Sequence, residues 1–227
     1  MLDAPAAPDA ALPRSRYGAP LLAITLALLV LSGIRPSDMP TWWLEIGPIL
    51  FAVPILVLSR KRFPLTTLSC VLLAIHAVIL MVGGRYTYAK VPIGDWVRDA
   101  FHLARNPYDK LGHLAQGFVP ALVLREVLLR TSPLRPSGWL FSIVTFFCLG
   151  ISALYELVEW LTAVLFGGGA EAFLGTQGDE WDAQSDMLFA LIGAILAQLV
   201  MRGLQDRQLR PYADPAKYAR AIGELPA

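Results

Sequence analysis

Charge is scarce in this chain of 227 residues: Asp, Glu, Lys and Arg make up 16% of it and hydrophobic residues 56%. Ordinary soluble domains carry about 25% charged residues, so this balance and the positive mean hydropathy exclude a soluble fold and make the bilayer the solvent. An excess of one sign is also missing, since 19 basic against 18 acidic side chains leave a net charge of +1. No nucleic-acid partner is expected from such a balance; the information lies in where the basic residues fall. Of two cysteines, Cys70 and Cys148, each lies inside an apolar run and reads as a small buried hydrophobe rather than half of a disulfide or redox pair. No internal repeat is visible, which weighs against an alternating-access transporter. The first apolar run has no clear small-x-small cleavage site before Arg35, so it reads as a retained helix rather than a signal peptide.

What is present is a series of apolar runs near the ~20 residues that a spanning helix needs. They fall near 18–34, 41–59, 65–83, 109–130, 138–166 and 182–202. The expected fold is an all-α integral membrane protein with about six transmembrane helices, forming a single membrane domain over 18–203. Residues 1–17, rich in Ala and Pro, are expected to be a disordered tail and 204–227 a C-terminal tail. Basic residues cluster at alternate junctions: Arg14 and Arg16, then Arg60, Lys61 and Arg62, then Arg125, Arg130 and Arg135, then Arg202, Arg207 and Arg210. Short basic loops stay in the cytoplasm, so both termini are expected there, in the cytoplasmic (inner) membrane of a bacterium. The junction before the last helix has Glu171, Asp179, Glu180 and Asp182 but no Lys or Arg, as an external loop should.

The remaining junction, at 84–108, runs against this pattern, since Arg85, Lys90, Arg98, Arg105 and Lys110 would lie outside, partly balanced by Asp95, Asp99 and Asp109, and it holds a pattern of its own. Ile93, Trp96, Val97, Ala100, Phe101 and Ala104 recur at helical spacing, with Asp95, Arg98, Asp99 and Arg105 on the other side. This predicts an amphipathic helix over 92–105, either flat on the outer interface or packed as a cap on the bundle. Trp42, Trp43 and Trp181 suit the aromatic belt. Pro48 and Pro54 predict a kink, and Gly112, Gly117 and Gly193 allow close helix approach. His76 reads as hydrogen-bonded across helices and His102 as a surface residue.

Three segments carry groups that insertion alone does not call for. Asp109 and His113 are four apart, as are Asp182 and Asp186, and Glu156 and Glu159 are three apart, so each pair shares a helix face. At 1.5 Å per residue all three pairs lie in the outer third to half of the membrane on one side. An acid at the centre of a spanning helix costs ~2.5 to 3.5 kcal/mol, so Glu156 and Glu159 demand a partner. A divalent metal held by Asp109, His113, Glu156, Glu159, Asp182 and Asp186 would supply one, the donor set suiting Zn, Mn or Fe and its oxygen-only part Mg. Two other classes answer the same demand: a proton-sharing or salt-bridged structural network, and an ion- or proton-coupled transport site. Gln116, Gln177, Gln184 and Asp179 are the expected supporting residues, with Tyr155 as a donor to a carboxylate or substrate oxygen. The run Gly175 to Asp179 can turn backbone N–H groups toward an anion, and Asp182 can equally be the N-cap of the last helix.

The runs YTYAKVPIGDW, RNPYDKLGHLAQGFVPALVLRE, SALYELVEW and FLGTQGDEWDAQSDMLFALIGA resemble the YjdF type of bacterial inner-membrane protein, over essentially residues 20 to 203. More distantly, the Asp-Lys-x-x-His start, the glutamate-bearing next helix and the Asp-led last helix are similar to the VanZ-like membrane proteins, although this chain has Met187 and Leu188 where that pattern carries a polar Asn. The resemblance implies a membrane location and a shared polar constellation, and supplies no reaction. From the residues themselves, the leading expectation is metal-dependent chemistry on a lipid head group or other amphiphile, with Glu156 or Glu159 as base. The alternatives are transport, or a structural or partner-binding role for a buried polar network.

Overall fold

The structure is a computed structural model that describes residues 15–166 and 177–212. Expectations for residues 1–14, Glu171, Gly175, Thr176 and 213–227 lie outside the described residues. Seven α-helices and no strand occur among those described: α1 Gly18–Ser32, α2 Met39–Ser59, α3 Thr67–Tyr86, α4 Pro92–Phe101, α5 Tyr108–Thr131, α6 Gly138–Phe166 and α7 Asp182–Leu209. Four of them, α2, α3, α6 and α7, are long and apolar enough to cross a membrane. The other two expected spans differ for physical reasons. α1 is apolar but has 15 residues, about 22 Å of helix. α5 has 24 residues and is loaded with charge at both ends: Asp109, Lys110 and His113 at its start, Arg125, Glu126 and Arg130 at its close.

Two helix triplets make the bundle. In one, α5, α6 and α7 pack around Leu122, Leu140, Val144, Cys148, Ala194 and Ala197. In the other, α1 and α2 pack on α3, around Trp42, Ile46, Ile49, Ala77 and Met81. The triplets meet where α3 packs on α5. Helices α1 and α3 run in parallel: Thr67 Oγ1 donates to Ser15 Oγ (3.0 Å) at one end and Arg85 Nη1 to the Ile34 carbonyl (2.6 Å) at the other.

The end of the bundle remote from Asp109 is fastened by a buried carboxylate. Glu126 is fully buried and accepts from the Thr66 N–H (2.9 Å), Thr66 Oγ1 (2.7 Å), Ser69 Oγ (2.6 Å) and Arg130 Nη1 (2.8 Å). Placed at the N-terminus of α3, it meets the positive end of that helix dipole and ties α3 to α5. Arg130 also donates to the Pro64 carbonyl and lies over the rings of Phe63 and Tyr212.

Several expectations are corrected. Trp42 is 8% exposed and donates through Nε1 to Ser32 Oγ at 3.0 Å, so it is a core residue, while Trp43 and Trp181 face outward. α4 stops at Phe101 rather than 105, because His102 turns left-handed at φ 53° and returns a hydrogen bond to the Arg98 carbonyl. α7 runs on to Leu209, where Gln205 donates to the Leu122 carbonyl (2.6 Å) and Gln208 accepts from the Leu68 N–H (2.9 Å); residues 204–209 are therefore docked helix, not tail. His76 has its Nε2 buried without a hydrogen-bond partner rather than bonded across helices. Asp38 caps α2 by accepting from the Thr41 N–H at 2.8 Å, and its hydrogen bonds with Thr41 hold its carboxyl below the usual range.

The tightest crossing is α5 on α7. A Cβ on Gly117 would overlap the Ala190 carbonyl, and one on Gly193 would overlap the Leu114 carbonyl, so backbone lies on backbone. Gly203 has open space around it. Gly117→Ala is accordingly expected to lower stability by ~1 to 3 kcal/mol through overpacking. Gly203→Ala should be neutral or gain up to ~1 kcal/mol from helix propensity. Thermal unfolding of both variants in detergent checks the contrast.

Candidate functional site

The Gly117–Gly193 crossing determines what stands above it. His113 lies one turn before Gly117, and Asp186 one turn before Ala190, so the crossing brings their faces together. Asp109 is a further turn toward the end of α5. From α6, Glu156 reaches the same point.

Lys110 is the ionic centre of the cluster. Its Nζ lies 2.7 Å from Asp182 Oδ1, 2.7 Å from Asp186 Oδ1 and 3.8 Å from Asp109 Oδ2. Arg105, in the linker before α5, pairs with Asp182 Oδ1 (2.6 Å) and Asp179 Oδ2 (3.0 Å). From its place at the outer end of α5, Lys110 reaches the acids only by folding inward; in the structure it is 13% exposed and turned into the bundle. Its flexible four-carbon stem makes this reach possible. Asp182 is the first residue of α7 and serves in ion pairs; the N-cap is Trp181.

His113 faces the acids with one edge only. Its Nε2 lies 3.6 Å from Asp109 Oδ1, 3.6 Å from Glu156 Oε1 and 3.9 Å from Asp186 Oδ1. On the other edge, Nδ1 is 3.0 Å from Gln116 Oε1, a carbonyl oxygen that can only accept, so the ring proton belongs on Nδ1. Glu156 Oε1 is buried and has no hydrogen-bond partner. One ligand atom each from Asp109, His113 and Asp186 fall within 4.8 Å of one another, a spacing able to enclose a cation.

Behind His113 lies a cavity of about 150 Å³. Glu159 lines it, with Asp109, His113, Gln116 and Tyr155 from the expected set, but so do Glu45 of α2, His76 of α3 and Tyr88. Tyr155 Oη donates to Glu45 Oε2 at 3.4 Å. Glu45 and Tyr88 escaped the sequence reading; the available signal was an acid inside the apolar run of α2, 3% exposed in the structure. Gln184 is exposed and points away from the cluster.

The loop side is held by Asn106, the chain's single asparagine, which is 1% exposed. Its Nδ2 donates to the Val91 carbonyl (3.0 Å) and Asp95 Oδ1 (3.1 Å), and its Oδ1 accepts from the Tyr108 N–H (3.0 Å). Gln177 accepts from the Asn106 N–H and donates to the Asn106 carbonyl, both at 3.1 Å. Asn106, two residues before α5, is thus joined to the approach to α7, which keeps Arg105 beside Asp179 and Asp182.

Removing one partner of a buried ion pair strands the other charge, at a cost of ~3 to 5 kcal/mol. Lys110→Met is expected to lose about that much, and adding Asp186→Asn should return part of it. A double-mutant cycle on thermal or denaturant unfolding measures the coupling.

Comparison with known proteins agrees with this architecture. A family described as "Predicted membrane protein (DUF2238)" matches residues 18–207, which takes in all but the last residues of α7. Inner membrane protein YjdF of Escherichia coli (strain K12) is 49% identical over 191 residues, covering 84% of this chain and 91% of that relative. No solved structure matches. The inner-membrane location expected from the basic residues agrees with the relative's name. The chain belongs to the DUF2238 family and is a multi-pass membrane protein.

Proposed function

We propose that this protein is an inner-membrane enzyme whose Asp109, His113 and Asp186 hold a divalent cation, with Glu156 as the general base, acting on the head group of a lipid or other amphiphile. The observation that carries the reading is the edge of His113. Ligand atoms ~2.0 to 2.2 Å from one cation stand about 3 to 3.5 Å apart. The distances from Nε2 to Asp109 and Asp186 are 3.6 and 3.9 Å, and the three ligand atoms lie within 4.8 Å of one another, so binding needs a contraction of about 1 Å or less. Both Nε2 distances are too long for hydrogen bonds. Gln116 supplies the partner on the far ring nitrogen that metal-bound histidines usually have. Charge supports the same reading: among the described residues, Asp109, Asp179, Asp182 and Asp186 pair with two full cations, Arg105 and Lys110.

Three protein ligands leave a cation open to water or substrate. Bound there, it would polarise a phosphoryl or carbonyl oxygen or lower the pKa of water. Glu156, with Oε1 buried and unbonded beside Nε2, is positioned to take the proton. One imidazole and two carboxylates suit Mn, Fe or Zn.

For the topology, we propose six crossings, with both termini in the cytoplasm and α4 in the outer interface. Two features support it. Arg60, Arg125, Arg130, Arg202 and Arg207 lie at helix ends remote from Asp109 and Asp186. In α4, Ile93, Trp96 and Phe101 are 61%, 68% and 70% exposed, so the apolar stripe faces away from the bundle, as a lipid-facing surface would.

Elemental analysis of detergent-purified, dialysed protein should find near-stoichiometric metal that Glu156→Gln retains and His113→Ala loses. Metal absent from the wild type after reloading with Mn, Fe and Zn would leave the Lys110 ion-pair network as the better account. For the topology, Glu180→Cys should react with a membrane-impermeant maleimide on intact spheroplasts, and Arg207→Cys only after permeabilisation, both in a background lacking Cys70 and Cys148. The reverse pattern would invert the orientation.

A further inference from the structure

The cavity behind His113 holds three carboxylates, from Glu45, Asp109 and Glu159, and among the described residues no Lys or Arg lines it. Glu159 is 9% exposed and, among the described residues, has no hydrogen bond or ion pair. His76, on the opposite wall, presents an Nε2 that is buried and unpartnered. Buried polar groups of folded proteins are nearly always bonded, so an orphan nitrogen facing an unbonded carboxylate across one cavity marks groups that wait for something outside the chain. What they wait for must donate hydrogen bonds and carry positive charge. The Tyr88 and Tyr155 rings on the walls suit a cation further, and Pro48, Leu80, Pro120 and Ile151 complete the lining with apolar surface. Water would satisfy the His76 nitrogen but would bring no counter-charge to Glu45 and Glu159.

We infer that this cavity is the recognition pocket for a primary ammonium group, the amine end of an ethanolamine-type head group. Glu159 and Glu45 accept N–H bonds from the ammonium, and the His76 lone pair accepts a third. The two carbons of ethanolamine lie against the apolar lining. Asp109 and His113 line the cavity and also face the candidate cation position. A head group whose ammonium fills the cavity therefore has its phosphoryl oxygen directed to the metal side. This assignment of substrate class rests on the metal reading, but the pocket itself does not need the metal.

Full-length protein in detergent should bind free ethanolamine, followed by isothermal titration. Choline, whose nitrogen has no N–H to donate, should bind about 10- to 100-fold more weakly, the equivalent of charge-assisted hydrogen bonds lost. Glu159→Gln should weaken ethanolamine by a similar factor while keeping its metal content, and Glu45→Gln serves if that variant fails to fold. Nanodiscs of phosphatidylethanolamine against phosphatidylcholine distinguish the lipid source: preferential retention of the former, with free ethanolamine competing, identifies a lipid head group, and binding of the free amine alone identifies a soluble one. Equal binding of ethanolamine and choline, no binding of either, or wild-type affinity in Glu159→Gln would overturn the inference. Metal retained with no amine binding removes this proposal alone. Amine binding without metal keeps the pocket and removes the metal reading.

Discussion

The contact on which the rest depends is backbone against backbone, where Gly117 of α5 meets Ala190 and Gly193 of α7 meets Leu114. In a bilayer, lipid tails are as apolar as the side chains they would displace, so helices associate through close packing and interhelical hydrogen bonds. Small residues at one level let two backbones touch, and the touching level fixes the register of everything one and two turns away. His113, Asp109 and Asp186 are held at that distance. Their mutual spacing is set by a crossing that contains no polar side chain.

The second constraint is the shortage of positive charge around so many acids. Carboxylates in low dielectric need counter-charge or hydrogen bonds. At the remote end Glu126 is satisfied completely, by two hydroxyls, a backbone N–H and Arg130. At the other end Arg105 and Lys110 satisfy Asp182 and part of Asp186, but Glu156 Oε1 remains without a donor. The same fold therefore treats its acids in two ways: at one end both oxygens of Glu126 are bonded, and at the other Glu156 Oε1 is left open.

Helices and their order were legible in the sequence because apolar runs and basic junctions report directly on the bilayer. Within a helix, spacing was equally informative: Asp109 with His113, and Asp182 with Asp186, do share faces. Depth arithmetic aligned Glu156 with them across three helices. That Glu45, His76 and Tyr88 share one cavity was not legible, because they come from the α1–α3 triplet or follow it, and which way that triplet turns its faces is decided by packing. Lys110 was legible only as a charge at the outer end of α5 that reaches the acids by folding inward, and its flexible side chain does lie back toward them. Trp42 was misread, since a belt position and a buried indole look the same until Ser32 is found beside it.

The length of α7 has a mechanical meaning. Its 28 residues make a rod of about 42 Å, longer than the ~30 Å hydrocarbon core of a bilayer. One tip carries Asp182 and Asp186; the other is pinned to α5 and α3 through Gln205, Asp206 and Gln208. No proline interrupts it. A force or binding event at the Arg207 tip would thus reach the acidic cluster as a displacement of a stiff shaft, without any relay of side chains between them.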